Sequence, residues 1–409
     1  MSKRRNIFIF LAVLLVIFVA VYSIILFIRE KPIEWTTDNS LQSVVTPDLK
    51  DSKDIPSIIK AIDLSLSYFK KKDPQQPIPF GMDRYTIAHI MSSLEDFKLN
   101  LQKYGFTDIF FQYIKENYRF YRSSAKEVLI TGYYEAQLRG SLKQSEGYNF
   151  PLYKKPEDLI VIDLSKFPIY QDHKGLPKVL KGRFLEKKKR IHPYYSRQEI
   201  DSMQVLSGRD LEIIWVDDPI DVFFLQIQGS GIVQLDSGEI KRVNYAESNG
   251  HPYRAIGRLL IDRQLLTREN MSMQSIRKYL QDHPEEMEEI FNYNPSYIFF
   301  REVKVGPLGC LGVPVTPYRS IATDSSLFPQ GALGYLRTEV PEFDDQGQVK
   351  VWKPFEGFVL NQDTGGAIRT PGRVDFFTGH GQQSELVAGH MKQQGMFYFL
   401  VKKEPLASN

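Results

Sequence analysis

The stretch Asn361–His380, NQDTGGAIRTPGRVDFFTGH, concentrates the chemistry of this chain. Asp363 closes a strand-like run, Gly365 and Gly366 permit a sharp turn, and Asp375 falls on the next run beside Phe376 and Phe377. Aspartate caps turns well, and that is its ordinary role where a strand ends. A strand interior against two phenylalanines is a poor place for such a cap. Lost hydration there would raise the carboxyl pKa, as a general acid working near neutrality requires. A third aspartate, Asp324 in SIATDSSLFPQG, stands at another strand–turn boundary.

Outward from this stretch the last third reads as strands with Gly/Pro punctuation: Ala332–Thr338, Val349–Leu360, Val374–Phe377 and Met396–Lys402. Three helices are expected earlier. Ile55, Ile58, Ile59, Ile62, Leu66 and Phe69 recur at helical spacing behind Asp54 and Pro56, and Asp83–Leu101 and Thr107–Tyr121 repeat the pattern. Between lie strand-like runs at Val128–Tyr134, Leu159–Asp163, Glu212–Val216 and Asp221–Gln228, then helical spacing over Asn249–Leu266 and Met273–Phe291. Helices, strands, helices and strands again predict an α+β protein with two β-rich units.

Charge and composition narrow the function. The 409 residues carry 52 Lys+Arg against 49 Asp+Glu, and Lys3, Arg4 and Arg5 account for the whole surplus. A balanced body argues against a nucleic-acid partner held by phosphate neutralisation. One cysteine, Cys310, excludes an intrachain disulfide and any multi-thiolate metal site, and the seven histidines form no HExxH, so no metal and no cofactor is expected. Gly229-Ser230-Gly231 lacks the G-x-S-x-G spacing of a nucleophile elbow and reads as a tight turn after a strand. The run Lys187-Lys188-Lys189-Arg190 is by default a solvated hairpin, with an anionic polymer as the other reading.

Residues Ile7–Ile28 hold no charge, and at ~1.5 Å per residue they extend roughly 33 Å, enough to cross a hydrocarbon core. Lys3–Arg5 before them and no small-residue cleavage site predict an uncleaved anchor, residues 1–30, with the body outside the inner membrane. A cleaved signal peptide and a free periplasmic body is the alternative. Residues 31–52 read as a tether.

In this order Asp324, Asp363 and Asp375 resemble the three-aspartate domain, with Asp363–Arg369 similar to its signature. Thr131-Gly132-Tyr133-Tyr134, Gln226–Gly231, Asn249–Tyr253, Met271–Gln274, Asn294–Tyr297 and Gly312-Val313-Pro314 match further blocks. Together, over roughly residues 55–402, they resemble the membrane-bound lytic murein transglycosylase A family. The resemblance implies a double-psi β-barrel with added helices, residues 53–132 and 304–403. A smaller β-rich domain, residues 133–303, would be inserted into it, with a groove between the two.

The implied reaction cleaves the β-1,4 bond between N-acetylmuramic acid and N-acetylglucosamine in peptidoglycan and leaves 1,6-anhydromuramyl ends. One carboxyl suffices, because the nucleophile is the substrate's own C6 hydroxyl. Asp375 matches the catalytic position, Asp363 is the next catalytic candidate and would support the fold and groove, and Asp324 would be structural or stand behind the two. Tyr133 and Tyr134 are candidates for stacking on sugars. Gln226, Gln228, Gly229, Ser230, Gly365 and Gly366 are candidates for lining the groove. The partners implied are glycan strands, the inner membrane and other cell-wall synthesis or hydrolysis proteins. Members are often outer-membrane lipoproteins, whereas no Cys stands directly after the apolar run here. A true glycan hydrolase with Asp363 as base, or a peptidoglycan-binding module without turnover, are the competing readings.

Overall fold

The computed structural model describes residues 34–125, 127–171 and 179–404. The expected anchor lies outside these residues. Among the described residues no helix is long and apolar enough to cross a membrane.

The helix Ile55–Phe69 forms as expected. The Asp54 carboxylate accepts from Ser57 N at 2.8 Å, Pro56 occupies the first turn, and Ile58, Ile62, Leu66 and Phe69 are buried. The two following helices are shorter than their patterns. Asp83–Thr86 pairs with Pro77–Phe80 as a hairpin before the helix Ile87–Tyr104 begins. Helix Asp108–Asn117 gives way to a strand at Tyr118–Ser123, in which Tyr118, Phe120, Tyr121 and Ser123 are buried.

Asp221–Gln228 is not a strand. Pro219–Gln228 is a helix, capped by the Asp218 carboxylate on Ile220 N at 2.8 Å and ended by Gly229 at φ +80°. Its aromatic and β-branched residues suggested a strand, but packing buries Phe223, Phe224 and Leu225 in succession, and the Asp-Pro start and Gly stop are helix signals. Helical spacing over Asn249–Leu266 yields only Ile256–Asp262, and Met273–Phe291 breaks at His283-Pro284 into Met273–Asp282 and Met287–Asn292.

Among the described residues thirteen strands share one sheet. Within it six strands close into a ring in the order Val128–Ser141, Arg373–His380, Ser320–Thr323, Val349–Thr364, Leu333–Phe343, Lys392–Lys402 and back to Val128–Ser141. Ile130, Ile321, Phe358, Leu360, Val374 and Phe376 are fully buried in these strands. The Val128–Ser141 strand has two allegiances. Its first half pairs in parallel with Arg373–His380, and Ala136–Gly140 pair in parallel with Ser230–Leu235, beyond which lie Ile240–Ser248 and Ile298–Glu302.

Residues 37–52 are more than a tether. Leu41–Val44 pairs with Tyr118–Ser123, Leu41 and Leu49 are buried, and Asp51 forms a fully buried ion pair with Arg319.

Candidate active site

Strand register assembles the site. Asp375 is opposite Thr131 on one side and Ala322 on the other, and Ala322 is in turn opposite Asp363. The four residues form one row across four adjacent strands, so their side chains share a face. A bulge between Ile321 and Ala322 in the pairing with Val349–Thr364 sets this register. It leaves Gln362 turned inward, where its amide donates to Ala61 O at 2.8 Å and Ser65 Oγ at 3.0 Å. Without the extra residue, Asp363 would fall out of the row. Two inter-strand steps place the Asp363 and Asp375 backbones roughly 10 Å apart.

Asp375 meets different neighbours from those its local sequence suggests. Phe376 points to the opposite face, and Phe377 packs under Tyr133, ring centroids 5.1 Å apart. Arg373, two residues back on the same face, grips the carboxylate with Nε on Oδ1 at 2.8 Å and Nη2 on Oδ2 at 3.1 Å. The Thr131 hydroxyl donates to Oδ1 at 2.5 Å. The Gly365–Ile368 turn closes over this pair. A Cβ on Gly365 would lie 3.2 Å from Ile368 and 4.0 Å from Asp375 Oδ2, so the turn leaves little room for a side chain beside the carboxylate. Gly366 is exposed at the outer edge of the turn.

Asp363 is the desolvated member of the pair. Burial raises its carboxyl pKa to about 6, and the charge of Asp375 pushes the same way. Hydrogen bonds to Oδ1 from Thr364 N at 2.8 Å and Cys310 N at 2.9 Å act in the opposite direction. Gly309 lets the second of these form, since a Cβ there would meet Gln362 O at 2.4 Å. The buried Tyr133 hydroxyl stands beside Asp363 and Asp375 without a well-formed hydrogen bond, and burial pushes its pKa far up. Burial raises the pKa of Tyr253, with the charge of Asp375 acting in the same direction and that of Arg373 against it.

The other expected groove residues lie elsewhere. Tyr134, one residue on from Tyr133, faces the opposite side and is buried, its hydroxyl 3.9 Å from Met273 Sδ. Gln226 is a buried partner of Arg197. Gln228 Oε1 accepts from Tyr134 N at 3.1 Å, tying the helix end to the strand. Gly229 terminates that helix, and buried Ser230 starts the next strand. Asp324 caps a turn, accepting from Ser326 N at 3.0 Å and Ser326 Oγ at 2.6 Å. Sequence reasoning missed Arg373, Thr131 and the Cys310 N–H as partners of the two carboxylates. Arg373 was the findable one, because strand alternation puts residue i−2 beside Asp375.

The raised pKa of Asp363 has a measurable consequence. Its folded value of about 6 lies above the unfolded value of 3.8. The stability it contributes is therefore full below pH ~4 and is lost as pH rises through about 6. Relative to Asp363→Asn, the wild type should lose up to about 3 kcal/mol between pH ~4 and ~7. Urea midpoints of both proteins across that range test this, and a constant difference between them would refute the buried, proton-holding carboxyl.

Residues 129–301 match the family described as MltA specific insert domain, and residues 319–401 match the 3D domain. The chain is 31% identical over 281 residues to a membrane-bound lytic murein transglycosylase A of Vibrio cholerae, spanning 66% of this chain and 69% of that one. The Escherichia coli K12 protein of the same name is 35% identical over 193 residues, 46% of this chain and 52% of its own. Among solved structures, a membrane-bound lytic murein transglycosylase from Agrobacterium tumefaciens superposes with TM-score 0.72 at 32% identity, covering 89% of this chain and 98% of that one. Escherichia coli MltA with bound chitohexaose shares the fold, with TM-score 0.65 at 22% identity over 92% and 98% of the two chains.

Proposed function

The chain belongs to the membrane-bound lytic murein transglycosylase A family, and we propose from this premise that Asp375 is the acid and base of a peptidoglycan-cleaving lytic transglycosylase. The observation that carries the assignment is the Asp375 carboxylate itself. It is the member of the Asp363–Asp375 row held only by side chains, Arg373 and Thr131, with 16% of its own side chain exposed. Asp363 is already engaged by two backbone N–H groups.

Protonated Asp375 gives its proton to the glycosidic oxygen as the bond to the muramyl C1 breaks. The resulting carboxylate then takes the proton of the muramyl C6 hydroxyl, whose oxygen attacks C1 and closes the 1,6-anhydro ring. The proton count returns to its start without water, and the nucleophile is held by the same ring it attacks. Arg373 and Thr131 are positioning residues that keep the carboxylate aimed at both oxygens in turn. Asp363 and Tyr133 form the floor of the site. Hydrolysis by this pair would need Asp363 to activate a water, and its engaged Oδ1 makes it poorly placed to do so.

The closed ring of six strands supports a double-psi β-barrel, built from residues 53–132 and 304–403, with residues 133–303 inserted and the groove between them. Ile7–Ile28 would anchor the body in the inner membrane on the periplasmic side. Mass spectrometry of fragments released from purified peptidoglycan tests the reaction. Anhydromuramyl ends are expected, and fragments ~18 Da heavier with reducing ends would identify a hydrolase instead. Arg373→Gln should lower turnover by about ten- to a hundred-fold with binding of sacculi retained, because carboxylate aim is lost while the groove stays intact. Wild-type rates in that variant would remove Arg373 from the mechanism.

A further inference from the structure

The small sheet formed by Ile160–Asp163, Val179–Leu185 and Arg190–Pro193 is polarised the wrong way for a sheet with one wet face. The face that carries Lys181 and Arg183, with Val161 and Val179 each 42% exposed beside them, is fastened to the protein. Lys181 Nζ reaches Glu247 Oε1 at 2.5 Å and Ser248 Oγ at 2.7 Å, and the Arg183 guanidinium lies 4.0 Å over the Tyr195 ring. The opposite face is apolar. Register pairs Ile162 with Leu180 and Phe184 with Ile191, and Leu180, Phe184 and Ile191 are 46%, 49% and 47% exposed. Antiparallel sheets ordinarily turn polar residues to water, and exposed apolar residues paired across neighbouring strands mark an interaction surface.

The hairpin that ends this sheet carries the basic run. Lys187, Lys188, Lys189 and Arg190 are all exposed, and among the described residues none is in an ion pair with the body. The turn places Lys189 at φ +48°, a left-handed conformation that Gly or Asn adopts more easily. Four cations thus cap an apolar face, the arrangement by which a surface element sits in the headgroup region of an anionic bilayer. An acidic protein could also meet the cations. The bilayer is the surface favoured here, because the same chain carries the uncharged Ile7–Ile28 stretch that would hold the body beside one.

We propose that the Leu180–Phe184–Ile191 face and the Lys187–Arg190 tip form a docking site for an anionic lipid bilayer, which orients the body on its membrane. The test uses the full chain in vesicles whose acyl chains are brominated, with Phe184→Trp as reporter and Ile240→Trp, at a 65% exposed position in another sheet, as comparison. Signal from Trp35, Trp215 and Trp352 is subtracted with the unsubstituted protein. In phosphatidylglycerol-rich vesicles the Phe184→Trp emission should be roughly halved and that of Ile240→Trp unchanged. Quenching should vanish in pure phosphatidylcholine, and also when residues 187–190 are all replaced by Ser. Equal quenching at both reporters, or none at Phe184→Trp, would overturn the proposal. So would a Phe184→Trp signal that ignores lipid and responds to purified peptidoglycan, which would assign the face to the wall polymer.

Discussion

Asp375→Asn should reduce the release of anhydromuropeptides by at least about a thousand-fold, a loss at the upper end of what a general acid or base contributes. The expectation exceeds that for a typical acid because one carboxyl serves both proton transfers, so the variant loses the donor of the first step and the acceptor of the second. Folding should survive. The Asn oxygen can still accept from Thr131, and Arg373 is 31% exposed, so its unpaired guanidinium finds water. Binding of sacculi should persist too, because the proton acts on the transition state and not on ground-state affinity. Pull-down with intact sacculi and quantified product release separate the two effects. Activity above about a tenth of wild type would rule Asp375 out as the proton carrier. In that outcome Asp363, with its pKa raised to about 6, becomes the acid to examine, and Asp363→Asn should show the deep loss instead.

What the sequence revealed about this site, and what it concealed, follows the range of each interaction. The aspartates stand out in a single twenty-residue stretch because strand, glycine turn and strand are local events. Their alignment is not local. It depends on Ala322 standing between them and on a bulge at Gln362 whose cause is the helix Ile55–Phe69, some 300 residues earlier. The N–H of Cys310 is invisible for a related reason, since any residue could supply it. Tyr133 and Tyr134 read alike in sequence and part company in space, because a strand sends consecutive side chains to opposite faces. The same blindness turned Pro219–Gln228 into an expected strand, when its Asp-Pro entry and Gly exit carried the better signal. Gln226 and Ser230 are both buried, the first against Arg197 and the second at the start of the next strand.

Asp51→Ala should destabilise the protein by about 3–5 kcal/mol, the cost of leaving a buried charge without its partner. Arg319 and Asp51 have fully buried side chains and meet through two contacts, Nη1–Oδ2 at 2.6 Å and Nη2–Oδ1 at 3.0 Å. Arg319 also donates to Ser57 Oγ, Asp54 O and Phe358 O, and Asp51 accepts from Phe358 N and Lys53 N. These bonds clamp the residues before the first helix, the start of that helix and the Val349–Thr364 strand into one block. That strand carries Asp363, and that helix holds Gln362, so the clamp also sets the geometry of the active site. A domain of this kind has roughly 5–15 kcal/mol in hand, so the variant should stay folded at moderate temperature with a sharply lowered urea midpoint. Removing both charges tests the cause. Asp51→Leu combined with Arg319→Met should be less destabilised than Asp51→Ala alone, because no orphaned guanidinium remains. If the double variant were instead as unstable as the sum of its single changes, the pair would not be coupled.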